Sequence, residues 1–383
     1  MKQVGSPRVL IVADDLTSAT DGAGPFVAGG LRAEVQLSGT PYAGSADVVS
    51  VDTNTRIRSA TEAAGIVAKA FRGELPGVVV KTIDSTLRGN IAEEIEAARR
   101  STGRPLTIVA PAFPAEGRTT VRGMQLLRGV PVSRTSFGED RSSPTGESDV
   151  RAILPQATLM SFRDPNLDVD AVIGIAIADA TSDADLDELV ARVRRPERVL
   201  WVGSPGLCAA LARSMRRDEI TQSVPPSRSL LIVVGSEHAA SKEQLERVRS
   251  HSVHLDLAIC EPAAAAQQIE IALARGQLVT LTDTSNDRTA SQVRARLAAA
   301  VAPLRASDVL DAVVATGGDT ARAVLEALEI SGMRVLAEPA PGVVATRADR
   351  DRQRTFVIKA GGFGTPDLLV ELAHLIHTSA KEL

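Results

Sequence analysis

Residues 81–90 bring together the side chains of this chain that are best suited to chemistry. Within a few positions they supply two cations, one carboxylate and two hydroxyl groups, from Lys81, Asp84, Ser85, Thr86 and Arg88. An apolar run precedes this loop and a helical pattern follows it, so a strand should end and a helix begin there. Cations and hydroxyl groups at the positive end of a helix dipole suit a polyhydroxylated anion. A solvated loop is the alternative that these residues leave open.

Two adjacent carboxylates form a second candidate site. Asp14 and Asp15 follow the strand predicted for residues 8–13, and a helix should begin directly after them. They could bind a metal ion or the hydroxyl groups of a ligand, or one of them could cap the helix. An aspartyl phosphatase is excluded, because Leu16 stands where its motif requires a second aspartate. Arg56 comes shortly after the next predicted strand, at residues 47–52, and is either a ligand for a carboxylate or a surface charge.

Three predicted strands in the second half of the chain end in small residues just before a helix. Glycines let backbone N–H groups approach phosphate oxygens, and helix N-termini add a favourable dipole. One such loop means little, but three of them favour a nucleotide or phosphate site. The chain has neither the P-loop motif nor a strand that enters Gly-x-Gly-x-x-Gly, which argues against P-loop and dinucleotide proteins. The loops contain Gly235-Ser236, Gly317-Gly318-Asp319-Thr320 and Gly361-Gly362.

Apolar strand patterns alternate with helical patterns in both halves, which predicts an α/β fold. We expect two domains, each with a mostly parallel sheet flanked by helices, and an active site in the cleft between them. Residues 221–228 have the composition of a linker. The predicted boundaries are an N-terminal domain at residues 1–222, a linker at 223–229 and a C-terminal domain at 230–383.

Two local predictions concern the first domain. Asn90 and Glu93 resemble a capping box for the helix whose apolar face carries Ile91 and Ile95. Residues 123–146 are rich in turn formers, which predicts a long loop of functional importance or high mobility.

The composition excludes several classes of function. The chain has 383 residues, with 43 basic and 47 acidic side chains, so nucleic acid and anionic membranes are not expected as partners. Seven Phe, one Trp and one Tyr are too few for base-stacking platforms. Two cysteines argue against a disulfide framework. Without a long apolar segment or a cleavage signature, we expect a soluble cytoplasmic protein; a homo-oligomer is possible.

The motifs of this chain, and the order in which they occur, resemble those of the four-carbon acid sugar kinases. The Asp-Ser-Thr-Leu-Arg-Gly-Asn string at residues 84–90 is long enough to be specific, whereas the glycine pairs alone would not be. Together, the matching stretches span almost the whole chain. They are Ala13-Asp-Asp-Leu-Thr17, Lys81, residues 84–90, Pro111-Ala-Phe-Pro114, Gly117-Arg-Thr-Thr120, Gly129-Val-Pro-Val132, Asp179-Ala180, Gly235-Ser236, Gly317-Gly-Asp-Thr320 and Lys359-Ala-Gly-Gly-Phe-Gly364.

The resemblance implies that the N-terminal domain binds an acid sugar and the C-terminal domain binds ATP. The family phosphorylates the terminal C4 hydroxyl group of tetronates, namely threonate, erythronate and their oxo relatives. Carried onto this chain, the residues facing the acid sugar would be Asp14, Asp15, Arg56, Lys81, Asp84 and Arg88. Those facing ATP would be Ser236, Gly317, Gly318, Asp319, Thr320, Gly361 and Gly362.

The chain departs from the family pattern at four places. Ser18 and Ser148-Asp149 bear on the choice of substrate. Glu237-His238 and Ala360 fall in the loops assigned to ATP and bear on nucleotide affinity.

The implied reaction sets the roles of these residues. Phosphoryl transfer depends mainly on positioning and charge neutralisation. Mg²⁺ is expected to bridge the ATP phosphates, since no all-protein metal cage is visible. Asp84 is the first candidate for the proton acceptor and Asp15 the second, while Lys81, Arg56 or Arg88 would hold the substrate carboxylate. The main alternative is a two-lobed sensor that binds acid sugars without turnover, although a sensor would not need three phosphate-suited loops.

Overall fold

The computed structural model describes residues 7–37, 46–138, 145–217, 222–348 and 354–377. The chain divides into two compact units, Met1–Ile220 and Thr221–Leu383, which we call unit 1 and unit 2. Each unit contains its own run of mostly parallel strands flanked by helices. The predicted α/β class with two domains is therefore confirmed.

Unit 1 is built on a parallel sheet and a small antiparallel one. Its strands are β1 (Val9–Ala13), β2 (Ala33–Leu37), β3 (Val48–Asp52), β4 (Val78–Thr82), β5 (Leu106–Ala110), β6 (Arg118–Val121), β7 (Met124–Leu127), β8 (Val130–Pro131), β9 (Thr158–Leu159), β10 (Gly174–Ile177) and β11 (Val199–Gly203). The order in the larger sheet is β2-β3-β1-β4-β11-β5-β10-β9, and every neighbouring pair is parallel. Strands β6, β7 and β8 form the antiparallel sheet.

The helices of unit 1 cover this sheet with apolar side chains. They are α1 (Leu16–Ala28), α2 (Ala60–Ala70), α3 (Ile91–Thr102), α4 (Val150–Ile153), α5 (Asp183–Ala191) and α6 (Pro205–Ser214). Ile91, Ile95 and Ala98 recur at helical spacing on α3, and all three are buried in the core formed with the strands. A capping box between Ser59 and Glu62 fixes the start of α2.

The predicted capping box at the start of α3 is wrong. Asn90 is the N-cap residue, but its side chain makes no capping hydrogen bond. Its amide group donates instead to the carbonyl oxygens of Thr55 and Arg58, at 3.1 and 3.0 Å. Asn90 therefore ties the loop before α3 to the loop after β3, which a local sequence pattern could not show.

The predicted long loop at residues 123–146 is wrong in its first part, because β7 and β8 form there, and its residues 139–144 lie outside the described part of the chain. The fully buried Gln125 of β7 donates to the carbonyl oxygen of Ser85 at 2.7 Å. The hydroxyl group of Thr145 donates to the carbonyl oxygen of Thr86 at 2.8 Å. These contacts hold the small sheet and Thr145 against the polar loop that follows β4.

Unit 2 contains its own run of mostly parallel strands. Its strands are β12 (Leu230–Val234), β13 (Val253–Asp256), β14 (Leu278–Thr282), β15 (Ala312–Thr316), β16 (Gly332–Ala340), β17 (Val343–Ala348) and β18 (Thr355–Lys359). The order is β13-β14-β12-β15-β18-β17-β16, with parallel pairing as far as β18 and antiparallel pairing beyond it.

Five helices flank this sheet among the described residues. They are α7 (Ala239–Arg249), α8 (Pro262–Ala274), α9 (Ala290–Val301), α10 (Gly318–Ala327) and α11 (Leu368–Ile376). Apolar side chains of α7 and α11, such as Leu245 and Leu369, pack with the strands in one core cluster. Among the described helices, none combines the length and the apolar character that crossing a membrane would need.

Candidate functional site

In unit 1, the predicted polar residues meet because their strands are neighbours. Strands β3, β1 and β4 lie side by side and are parallel, so their carboxyl ends share one edge of the sheet. Such edges are where open α/β sheets bind ligands. The side chains that meet there, which we call the acidic–basic cluster, are Asp14, Asp15, Arg56, Asp84 and Arg88.

Arg56 lies at the centre of the acidic–basic cluster. Its Nε and Nη2 donate to the two carboxylate oxygens of Asp14 at 2.7 and 3.0 Å, and its Nη1 donates to Asp15 at 2.5 Å. Its Nη2 is also 4.0 Å from Oδ1 of Asp84. Burial alone would lower the pKa of Arg56, but the charges of these carboxylates outweigh burial and raise the pKa well above its usual value. Arg56 thus links the residues that follow β1, β3 and β4.

Asp84 forms a two-pronged ion pair with Arg88. Nε and Nη2 of Arg88 donate to the two carboxylate oxygens at 2.7 and 3.0 Å, and the hydroxyl group of Thr86 donates to Oδ2. Burial would raise the pKa of Asp84, but the charges of Arg88 and Arg56 and these hydrogen bonds hold the pKa far below its usual range. A carboxylate with such a low pKa is a weak base. The arrangement suits Asp84 to binding and orientation.

Asp15 has a different electrostatic setting. Its Oδ1 accepts the N–H of Ser18 at 2.7 Å, which makes it the N-cap of α1, and its Oδ2 accepts the hydroxyl group of Thr17 at 2.9 Å. Burial raises the pKa of Asp15, the charge of Arg56 opposes this in part, and the adjacent Asp14 raises the pKa further. Because the net shift is upward, Asp15 is a stronger proton acceptor than Asp84.

Lys81 is placed apart from the acidic–basic cluster. It is fully buried in β4, where its Nζ lies 2.7 Å from Oε2 of Glu94 in α3 and donates to the carbonyl oxygen of Thr82 at 2.5 Å. This pair joins the end of β4 to the first turn of α3. The placement favours support of the intervening loop over direct contact with a ligand.

We expect Glu94→Gln to lower the free energy of unfolding by about 3–5 kcal/mol, because it leaves Lys81 buried without its counter-charge. Urea denaturation measures the change. The matched control is Arg100→Gln on the same helix, which removes the exposed ion pair with Glu96 and should cost less than about 1 kcal/mol. Equal losses for the two variants would contradict a stabilising role for the buried pair.

Sequence reasoning missed Phe137, which brings two arginines together. The guanidinium groups of Arg88 and Arg118 lie over its ring, 5.2 and 5.6 Å from the ring centroid. Burial lowers the pKa of Arg118, and the charge of Asp84 works in the opposite direction. Phe137 and Arg118 therefore belong beside the acidic–basic cluster. The one sequence signal was an aromatic residue in a chain that has only seven Phe.

In unit 2, the three predicted glycine loops converge for the same topological reason. Strands β12, β15 and β18 are adjacent and parallel, so the loops at residues 235–238, 317–320 and 360–363 follow neighbouring strand ends. We call these segments the glycine loops. Gly317 has a φ of 86°, a region that favours glycine, and its N–H donates to the carbonyl oxygen of Lys359 at 2.8 Å.

The glycine loops approach each other so closely that side chains would not fit. A Cβ atom added to Gly361 would lie 3.0 Å from Cβ of Ser236 and closer still to its hydroxyl oxygen. A Cβ on Gly235 would collide with Thr320, and one on Gly362 would lie 3.1 Å from Nε2 of His238. Packing therefore requires glycine at positions 235 and 361, independently of any ligand, whereas a Cβ at position 362 would need only a small shift of His238.

The same loops present a group of backbone donors. Gly317 begins α10 without a side chain that could cap it, so the first-turn N–H groups of that helix have no intrahelical partner. The carboxylate of Asp319 pairs with Arg294 at 3.2 Å. Such donors at a helix N-terminus suit phosphate oxygens. Among the described residues, no acceptor is found for the N–H groups of Gly318, Asp319, Thr320, Gly361 and Gly362.

Comparisons with known proteins also distinguish a sugar-binding half and a nucleotide-binding half of the chain. A family model described as a sugar-binding N-terminal domain matches residues 9–211, and one described as a nucleotide-binding C-terminal domain matches residues 231–369. A D-threonate kinase of Bordetella bronchiseptica is 31% identical, over 97% of this chain and 98% of that protein. A 3-oxo-tetronate kinase of Pseudomonas fluorescens is 29% identical, over 95% and 96%. A crystal structure of a Haemophilus influenzae protein shares the fold with a TM-score of 0.74, at 19% identity over 96% of this chain and 99% of that one.

The fold and the two family models define a class of two-domain α/β proteins with a sugar-binding and a nucleotide-binding domain. The similarity extends over nearly the full length of kinases that act on four-carbon sugar acids. The chain belongs to the four-carbon acid sugar kinase family, as the motifs of its sequence predict.

Proposed function

We propose that this protein transfers the terminal phosphoryl group of ATP to the C4 hydroxyl group of a four-carbon sugar acid, such as threonate, erythronate or an oxo-tetronate. The observation that carries the proposal is the set of backbone donors on the converging glycine loops, which suits a polyphosphate. A sensor that binds the sugar acid without turnover is not favoured, because proteins that resemble this chain over nearly its whole length are named as kinases.

In unit 1, the acidic–basic cluster would bind the sugar acid. Arg88 is the basic residue of the cluster with the more exposed side chain, 20% against 12% for Arg56. A guanidinium group can bind a carboxylate through two parallel hydrogen bonds. We assign Arg88 to the substrate carboxylate and the carboxylates of Asp14 and Asp84 to its hydroxyl groups. Arg56 would keep these carboxylates in place.

In unit 2, Ser236 and the glycine loops would hold the nucleotide. The N–H groups of Gly361 and Gly362 have no acceptor among the described residues, and without Cβ atoms these glycines allow phosphate oxygens close to the backbone. When bound, ATP supplies the phosphoryl group, and Mg²⁺ would neutralise charge on its phosphates. Among the described residues, no group of three His, Cys, Asp or Glu side chains could hold a metal ion. The ion would therefore depend mainly on the phosphate oxygens.

The proton of the attacking hydroxyl group needs an acceptor. The sequence favoured Asp84, but its two-pronged pair with Arg88 makes it a weak base. We assign the role to Asp15, whose pKa is shifted upward and which adjoins Asp14 in the same cluster.

The experiment that tests the proposed function is ADP release by the purified protein with ATP and Mg²⁺. We expect turnover with at least one member of a panel of threonate, erythronate and 3-oxo-tetronate stereoisomers, because one chain would carry both proposed sites. The control is ATP without a sugar acid, which should give a much lower rate. Absence of turnover across the panel, from protein that still binds ATP, would contradict the kinase proposal and favour a sensor.

A further inference from the structure

Strand β18 ends in a lysine that takes no part in the sites described above. Lys359 is fully buried, between the ends of β15 and β17. Its Nζ donates to the carbonyl oxygens of Ala360 at 2.8 Å and of Gly361 at 3.4 Å. Its own carbonyl oxygen accepts the N–H of Gly317 at 2.8 Å. This one residue thus contacts two of the three glycine loops.

Other buried groups hold the same segment of chain. The hydroxyl group of Ser241, on α7, donates to the carbonyl oxygen of Gly361 at 2.7 Å. The N–H of Ala360 donates to the carbonyl oxygen of Gly342 at 3.0 Å, and the N–H of Phe363 donates back to Ala360 at 3.3 Å. The carbonyl groups of Ala360 and Gly361 therefore both point at interior side chains.

The direction of these carbonyl groups sets the direction of two N–H groups. In a planar trans peptide, the C=O of one residue and the N–H of the next point in opposite directions. Because the C=O of Ala360 faces Nζ of Lys359, the N–H of Gly361 faces away from it. By the same geometry, the N–H of Gly362 faces away from Ser241. Within the described part of the chain, neither N–H has an acceptor.

We propose that Lys359 is a positioning residue of the nucleotide site, which turns the N–H groups of Gly361 and Gly362 towards the phosphates. The inference rests on the proposed nucleotide site of unit 2. This role does not require Lys359 to touch the nucleotide, since its Nζ lies at the carbonyl ends of these peptides and the N–H groups point the other way.

The energetic reason lies in the cost of a hydrogen bond lost by a buried charged group. If the peptide between Ala360 and Gly361 flipped, Nζ of Lys359 would lose its 2.8 Å acceptor in the interior. A hydrogen bond to a charged group contributes about 1.5–3 kcal/mol, so this loss disfavours the flipped peptide. The flipped peptide would also turn a carbonyl oxygen towards the phosphates, where it repels. Lys359 therefore favours the one peptide orientation that can bind an anion.

The test compares Lys359→Met with a control at the residue just before the start of the same strand. Arg354 is also buried, and it donates to backbone carbonyl oxygens of Leu310 at 3.0 Å and Ser307 at 2.8 Å. Both substitutions remove a buried donor to carbonyl groups and should lower the melting temperature. Calorimetry with Mg²⁺-ATP and with inorganic triphosphate separates a positioning role from a general loss of stability.

We expect Lys359→Met to weaken the binding of ATP and of triphosphate in parallel, by roughly 10–100-fold, since two charge-assisted hydrogen bonds lose their alignment. Sugar-acid affinity should stay unchanged, and Arg354→Met should retain the nucleotide affinity of the wild type. Equal losses in both variants, or unchanged nucleotide affinity in folded Lys359→Met, would overturn the inference.

A second variant covers the case in which Lys359→Met does not fold. Ser241→Ala removes the other anchor of the Gly361 carbonyl and should weaken nucleotide binding several-fold. Unchanged affinity in Ser241→Ala would then count against the positioning of these peptides. If the wild-type protein binds neither ATP nor triphosphate, the proposed nucleotide site itself is refuted, which is a different outcome from an unaffected variant.

Discussion

Replacing Asp15 with asparagine is expected to lower kcat by roughly 10²–10⁴-fold, the usual effect of removing a general base. Asparagine keeps the shape of the side chain and can still accept the N–H of Ser18 that caps α1. Loss of basicity, rather than of fold, should therefore dominate. Steady-state kinetics of ADP release measures kcat, and calorimetry should show nearly unchanged ATP affinity.

The matched comparison is Asp84→Asn, in the same cluster. This change leaves Arg88 without its two-pronged partner and should raise the KM for the sugar acid more than it lowers kcat. If Asp84→Asn instead shows the larger fall in kcat, the base is Asp84, as the sequence favoured, and the assignment to Asp15 is wrong.

The pH dependence of the rate gives an independent readout. A base acts only when it is deprotonated, so kcat/KM should fall as the pH falls through the pKa of Asp15. Because burial and Asp14 raise that pKa, the acid limb should lie above the value of about 3.9 of an unperturbed aspartate. The residual activity of Asp15→Asn should not show this fall in kcat/KM at low pH.

The sequence could predict which strand ends carry the sites, because polar residues after apolar runs are a local signal. The segments after β1, β4, β12, β15 and β18 were all expected, and parallel topology brings them to shared edges. The family model for a nucleotide-binding domain agrees with the expectation that the glycine loops serve a nucleotide.

The roles of single side chains depend on contacts between distant parts of the chain. Lys81 and Arg88 are both cations of the stretch at residues 81–90, yet Lys81 is buried against Glu94 and Arg88 lies over Phe137. The spacing of the residues gives no information on this difference. Asn90 likewise fits a local capping pattern but binds a loop more than 30 residues away in the chain.

For the same reason, the sequence could not show which of the two carboxylates, Asp15 or Asp84, is the stronger base. A pKa depends on burial and on the charges that surround a group in space. Asp15 has a carboxylate next to it in the chain, whereas the partners that dominate Asp84 are Arg88 and the distant Arg56. Only the folded arrangement shows that these environments shift the two pKa values in opposite directions.

Gly361→Val is expected to weaken ATP binding by at least roughly 100-fold. The added side chain would run into Ser236, so the loop must move and its two unpaired N–H groups lose their alignment. A hydrogen bond to a charged group contributes about 1.5–3 kcal/mol, and two of them account for an effect of this size. Calorimetry with Mg²⁺-ATP measures the loss, and sugar-acid binding should persist because the acidic–basic cluster belongs to unit 1.

The control is a glycine with free space around it. Gly65 lies inside α2, and no other group lies within 4 Å of a Cβ added there. Gly65→Ala should therefore leave both affinities unchanged and stabilise the fold slightly, by about 0.4–1 kcal/mol. A folded Gly361→Val protein that binds ATP as tightly as Gly65→Ala does would show that the nucleotide binds elsewhere than at the glycine loops. A parallel loss of sugar-acid binding in Gly361→Val would instead indicate general unfolding, which thermal melting would detect.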